Sequence, residues 1–253
     1  MIVEPRLALA GLIIGTIAGM SGIGGSALLA PILILVFGVN PSIAVGTDLV
    51  YSVPMKALAA IAHARGRTVD WQIVRMLGYG GIPGALAGLA VFAFARARFP
   101  EAQLEHALRH AIGIVILCSA AAAVFAHLTL RARTAAHSRR GAPAAIGAVV
   151  GFLVALSSIG SGSITLPLLL LALPGIGLRQ LIGSEIVFAA LMVPVAAAGH
   201  IAFANVNWPM ALSLTVGALP GAYAGAKLCA RLGETTLRPA VVGVLAFAGF
   251  KLL

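Results

Sequence analysis

Charge is what this sequence lacks. Only 9% of its 253 residues are Asp, Glu, Lys or Arg, against roughly 25% in an ordinary soluble domain. That is too little polar surface for a water-soluble body of this size, and 60% of the residues are apolar. The composition is that of an integral membrane protein. Cysteine is nearly absent. Cys118 and Cys229 each stand alone in apolar segments, without the spacing of a disulfide framework or a zinc site, so no structural metal is expected. Aromatics are scarce and are not interleaved with basic residues as base stacking would need. The net charge of +10 therefore does not indicate a nucleic-acid partner. The basic residues collect between apolar runs, as in "RARTAAHSRR" (131–140), which is what the positive-inside rule produces. No cleavable leader is expected: "MIVEPRLALAGLIIG" runs on well beyond a short apolar core and reads as a retained first membrane segment. No cofactor motif is present.

What is there is long and apolar. Runs cover about 7–37, 43–64, 71–95, 103–130, 143–173, 181–204, 208–230 and 236–253. Most are near the ~20 residues that cross a hydrocarbon layer. Two are too long: 7–37 and 143–173 would each be roughly 46 Å as straight helices. Each carries a glycine-serine cluster near its middle, "SGIGGS" (21–26) and "SSIGSGS" (157–163).

The chain repeats itself. "GTIAGMSGIGGSALLAP" (15–31) aligns with "GFLVALSSIGSGSITLP" (151–167), and "GTDLVY" (46–51) with "GSEIVF" (183–188). His63 falls on His200, Asp70-Trp71 on Asn207-Trp208, and "GIPGALAG" (81–88) on "ALPGAYAG" (218–225). A duplication of this order and extent gives two halves, 1–141 and 142–253, in one transmembrane domain. The fold class is all-α and polytopic, with eight segments in two four-segment repeats.

Loop charge decides between parallel and inverted halves. If all eight segments cross, the basic residues divide almost evenly between the two sides. If segments one and five enter and return to the same side, each half crosses an odd number of times and the halves are inverted. Arg65, Arg67, Arg131, Arg133, Arg139, Arg140, Arg179, Lys227, Arg231 and Arg238 then share one side, against Arg6, Arg96, Arg98 and Lys251 on the other. That obeys the positive-inside rule, so inverted halves with both termini outside are expected.

The broken segments fit the same architecture. Irregular backbone at membrane depth is tolerated only where it is buried in protein or lines a cavity. In secondary transporters of inverted repeats, broken half-helices present backbone N–H groups and positive dipole ends to an anion. The competing reading is that the glycines only allow close helix packing. Two clusters at equivalent places, each interrupting an overlong run, favour a binding site at Ser21, Gly22, Gly24, Gly25 and Ser26 with Ser157, Ser158, Gly160, Ser161 and Ser163. Both clusters are expected to line one cavity near the bilayer midplane.

These residues resemble the TauE/SafE family of membrane proteins over essentially the whole chain. The likeness lies in the two breaks followed by proline, the "GTDL" and "GSEI" helix starts, the 63–71 run and the "PGALAG" and "PGAYAG" turns. The resemblance implies a four-plus-four duplication in the cytoplasmic membrane. It also implies transport of small sulfur-containing anions such as sulfite, sulfonates or thiosulfate. Many members carry a small hydroxyl residue after "GT", where this chain has Asp48 and Glu185; that departure bears on substrate and coupling.

Ionisable residues within membrane segments are costly and commonly face a cavity or a partner. At 100° per residue, Asp48, Ser52, Lys56 and His63 lie on one helix face about 80° wide. Glu185 and His200 repeat the spacing of Asp48 and His63 without the lysine. Lys56 is the natural cation for an anionic substrate or for Asp48. Asp48 and Glu185, with His63 and His200, are candidates for proton coupling, since a poorly solvated carboxylate holds a proton more readily. The alternatives are a structural ion pair, carboxylates stabilised at helix starts and interfacial histidines. Trp71 and Trp208 read as interface anchors.

Two other classes compete. "GMSG" (19–22) matches the G-x-S-G of rhomboid proteases, but its repeat mate reads "ALSS" (155–158), and a serine nucleophile needs a base within hydrogen-bond reach. An enzyme is therefore not expected. A passive channel would also use glycine breaks.

Overall fold

The computed structural model describes residues 4–21, 26–130, 141–232, 243 and 246–253. The described residues are almost entirely helical. The helices are α1 (Pro5–Ser21), α2 (Ser26–Leu35), α3 (Pro41–Arg65), α4 (Trp71–Arg98), α5 (Glu101–Leu130), α6 (Ala142–Ser157), α7 (Thr165–Ala172), α8 (Leu178–Ala202) and α9 (Trp208–Leu232). Four spans, Pro41–Arg65, Trp71–Arg98, Glu101–Phe125 and Leu178–Ala202, are long and apolar enough to cross a membrane. Shorter apolar helices accompany them. The molecule is a multi-pass membrane protein.

The second of the two overlong runs does not form a single helix. The first yields α1 and α2, with residues 22–25 outside the described part. The second yields α6 and α7, joined by a turn over 158–164. Residues 236–242 and 244–245, half of the eighth run, also lie outside the described residues; 246–252 are helical.

Helix directions follow from where glycines allow backbones to touch. A methyl group at Gly80 would strike the Ala144 carbonyl, at Gly84 that of Ala148, and at Gly88 the backbone of Phe152. Numbers rise together, so α4 and α6 run parallel. Gly217, Gly221 and Gly225 meet Ala8, Leu12 and Thr16 in the same way, so α9 and α1 are parallel. These two sets are repeat mates, contact for contact. Small residues let membrane helices approach this closely, which gains dispersion where lipid supplies no hydrophobic drive.

The centre is different. Gly46, near the start of α3, lies against Asn205 just past the end of α8, while Gly183, near the start of α8, lies against Thr68 just past the end of α3. The repeat mates α3 and α8 therefore run antiparallel. The loops close this crossing with paired hydrogen bonds: Asp70 N–H donates to Ser184 Oγ (2.8 Å) and Asn207 N–H to Thr47 Oγ1 (3.1 Å). Arg67 and Ala204, each one residue before this stretch, both adopt positive φ (51° and 57°). Asp70 caps α4 through Gln72 and Ile73, and Asn207 accepts from Met210. Trp71 and Trp208 open α4 and α9, and both are exposed.

α8 runs parallel to α4, since Gly81 meets Phe188 and Gly199 meets Leu89. Hence α6 and α8 share a direction, and the chain between them must turn back. α7 does so. Ser163 lies beside Ser119, and Pro167–Leu171 share a groove with Ala121–Phe125 of α5. The α6–α7 pair is a helical hairpin whose tip is the turn 158–164.

Candidate functional site

That tip is held by its own backbone. Ser158 closes α6 in the left-handed region (φ 62°), its N–H bonded to Val154 O at 2.8 Å. Gly160 (φ 124°) and Gly162 (φ 131°) occupy conformations open essentially to glycine alone. The Gly160 carbonyl gathers the N–H groups of Gly162, Ile164 and Thr165 and the Thr165 hydroxyl. The turn therefore places its serines individually. Ser157 Oγ donates back to Leu153 O at 2.7 Å and accepts from Ile159 N–H. Ser163 Oγ meets Ser119 Oγ at 3.2 Å. Ser158 Oγ donates to Asp48 Oδ2 at 2.6 Å. The Ser161 hydroxyl is buried with no hydrogen-bond partner among the described residues.

α3 supplies the facing wall. Asp48 is fully buried, and its second oxygen accepts from Ser52 Oγ at 3.4 Å. It sits two turns inside α3, whose N-cap is Asn40, so it is beyond the first turn where free N–H groups act. One turn past Ser52, the Lys56 ammonium donates to the Ser161 carbonyl at 3.3 Å. Lys56 is within electrostatic reach of Asp48 and also of Glu185 on α8. Glu185 is buried, and its Oε1 has no partner among the described residues. One cation thus faces two carboxylates, one from each half of the chain, beside a turn rich in hydroxyl groups.

The two histidines part company. His63 is half-buried at the end of α3, where Nδ1 meets Thr68 Oγ1 at 2.8 Å. His200 is fully buried. Its Nε2 meets Ala155 O at 2.9 Å, its ring packs on Phe92, and its Nδ1 is unpartnered among the described residues. Of the first cluster, Ser21 ends α1 and Ser26 begins α2, while Gly22, Gly24 and Gly25 lie outside the described residues. The expectation that both clusters line one cavity concerns that stretch.

The sequence reading did not single out Tyr51 or Ser119. Ser119 is buried on α5 and pairs with Ser163; nothing in its apolar surroundings marks it. Tyr51 is also buried, with its hydroxyl unpartnered among the described residues. Its signal was available, because its repeat mate is Phe188.

The model of the family described as "Sulfite exporter TauE/SafE" matches residues 7–252. The chain belongs to this family. Among TauE/SafE relatives, the probable membrane transporter protein YjnA of Bacillus subtilis (strain 168) is 34% identical over 252 residues, covering 97% of this chain and 98% of that one. The probable membrane transporter protein YunE of the same organism is 27% identical, over 94% and 92%. A probable membrane transporter protein of Xylella fastidiosa (strain Temecula1) is 29% identical, over 88% and 84%. No solved structure matches significantly. Membership in TauE/SafE makes this protein a membrane transporter and not an enzyme.

Proposed function

We propose that this chain is a secondary transporter for a small sulfur oxyanion, sulfite, thiosulfate or an organosulfur anion such as a sulfonate, in the cytoplasmic membrane. The family description supports the substrate class. The observation that carries the reading is the Lys56 ammonium on the Ser161 carbonyl, at the tip of a helical hairpin and beside the buried Asp48. A lysine at membrane depth is kept for a partner, and here it donates to a neutral carbonyl that an anion can displace.

The halves 1–141 and 142–253 are read as inverted repeats. The antiparallel contact of the mates α3 and α8 supports this: a two-fold axis along the membrane normal would leave mates parallel, whereas one in the membrane plane reverses them. The return of α7 against α6 supports segments that enter and leave on one side, as alternating-access carriers use.

Charge accounting favours proton coupling through Asp48 and Glu185. With both ionised, Lys56 is outnumbered before any substrate arrives. A bound anion adds one more negative charge in a poorly screened interior. A proton on one carboxylate offsets it, so anion and proton occupy the site together. His63 and His200 are bonded to Thr68 and Ala155.

The test is uptake of radiolabelled sulfite, thiosulfate and methanesulfonate into proteoliposomes, with and without an imposed pH gradient. Uphill accumulation of one of them driven by the gradient supports the carrier. Flux that only follows the anion's own gradient supports a channel instead.

A further inference from the structure

The duplication permits α3 and α8 to be compared position by position. At 47/184, 48/185 and 63/200 the two helices keep the same chemistry: Thr and Ser, Asp and Glu, His and His. At 51/188, 52/189 and 56/193 they differ, and always in one sense. α3 carries Tyr51, Ser52 and Lys56 where α8 carries Phe188, Ala189 and Val193. Three polar groups lie within six residues of one helix and are apolar in its mate.

Tyr51 is the least expected of these. It is 2% exposed and Phe188 is 0% exposed, so the ring at this position is a packing element in both halves and packing does not require the hydroxyl. A buried hydroxyl without a partner is destabilising, and Tyr51 Oη has none among the described residues. Its neighbours along the helix are Asp48, whose carboxylate acts on it electrostatically, and Ser52. The Ser161 hydroxyl is in the same condition, buried and unpartnered, next to the carbonyl that holds Lys56.

We propose that the Tyr51 hydroxyl donates directly to the transported anion, and that the anion site is one-sided, lying between α3 and the turn 158–164 with no equivalent site on α8. This rests on the anion-transport reading above. Tyr51 Oη, Ser161 Oγ and the Lys56 ammonium are three donors with no planar fork among them. They suit an oxyanion with several acceptor oxygens around one centre better than a planar carboxylate, which arginine matches bidentately. The nearby carboxylates favour a singly charged form. A one-sided site holds one anion per chain, although the sequence contains the glycine-serine cluster twice.

The experiment uses the full chain in proteoliposomes, with sulfite, thiosulfate and methanesulfonate as probes. Tyr51→Phe copies the residue already present in the other repeat. It should raise KM for the transported anion about tenfold or more, the loss of one hydrogen bond to a charged group. Vmax should change little and the melting temperature should not fall. An unchanged KM overturns the role of Tyr51. Calorimetric titration of the wild type should saturate at one anion per chain; two overturn the one-sided site. Lys56→Gln separates the levels. If it abolishes transport while Tyr51→Phe changes nothing, Tyr51 alone is wrongly assigned. If Lys56→Gln transports normally, or the wild type moves none of the three anions, the anion-site reading itself fails.

Discussion

Ser158 Oγ donates to Asp48 Oδ2 at 2.6 Å, across 110 residues of sequence. The bond ties the hairpin tip of the second half to the central helix of the first. Both residues are buried. Ser158→Ala should lower the unfolding free energy by about 2 kcal/mol, the scale of a hydrogen bond to a charged acceptor. Ser158→Gly loses the same bond but relieves the positive φ, so it should be the less destabilised of the two. Thermal melts of the detergent-solubilised variants check the order.

Lys56→Gln should leave a folded protein with anion transport reduced at least a hundredfold. The ammonium is the cation at the hairpin tip, and glutamine keeps a donor for the Ser161 carbonyl without the charge. Elution volume in gel filtration reports folding and labelled-anion uptake reports function. Wild-type uptake would remove Lys56 from the substrate path.

Asp48→Asn with Glu185→Gln should preserve exchange of labelled anion across the membrane and abolish the response to an imposed pH gradient. If these carboxylates serve only the fold, exchange and thermal stability should instead fall together. Counterflow with and without a pH jump distinguishes the two.

Inverted halves place equivalent loops on opposite faces of the membrane. Arg67 and Ala204 are exposed repeat mates in the turns after α3 and α8. In a background with Cys118 and Cys229 replaced by alanine, Arg67→Cys and Ala204→Cys should react with an impermeant maleimide from opposite sides. Labelling from the same side would reject inversion.

Gly84→Leu and its mate Gly221→Leu should each abolish the monodisperse protein. A side chain at either position meets a helix backbone, at Ala148 or Leu12, which cannot rotate away. Gly78 has open space around it, so Gly78→Leu should be tolerated. Gel-filtration profiles of the three report the difference.

Composition determined the class, because 9% charged residues cannot clothe a soluble body of this size. Self-comparison of the sequence set up the two halves and their glycine-serine clusters as expectations, and motif resemblance pointed to the family whose model matches residues 7–252. Helical periodicity placed Asp48, Ser52 and Lys56 on one face, and they remain neighbours because they share one helix. It also placed His63 there, and His63 bonds to Thr68 beyond the helix end. What it could not assign is any contact between segments. That Ser158 meets Asp48, that Ser161 offers Lys56 its carbonyl, and that α3 lies antiparallel to α8 depend on tertiary structure. In a turn with three positive-φ residues, Ser158, Gly160 and Gly162, side-chain direction has no period to read. It is set by the backbone path, and that path is set by the helices packed around it.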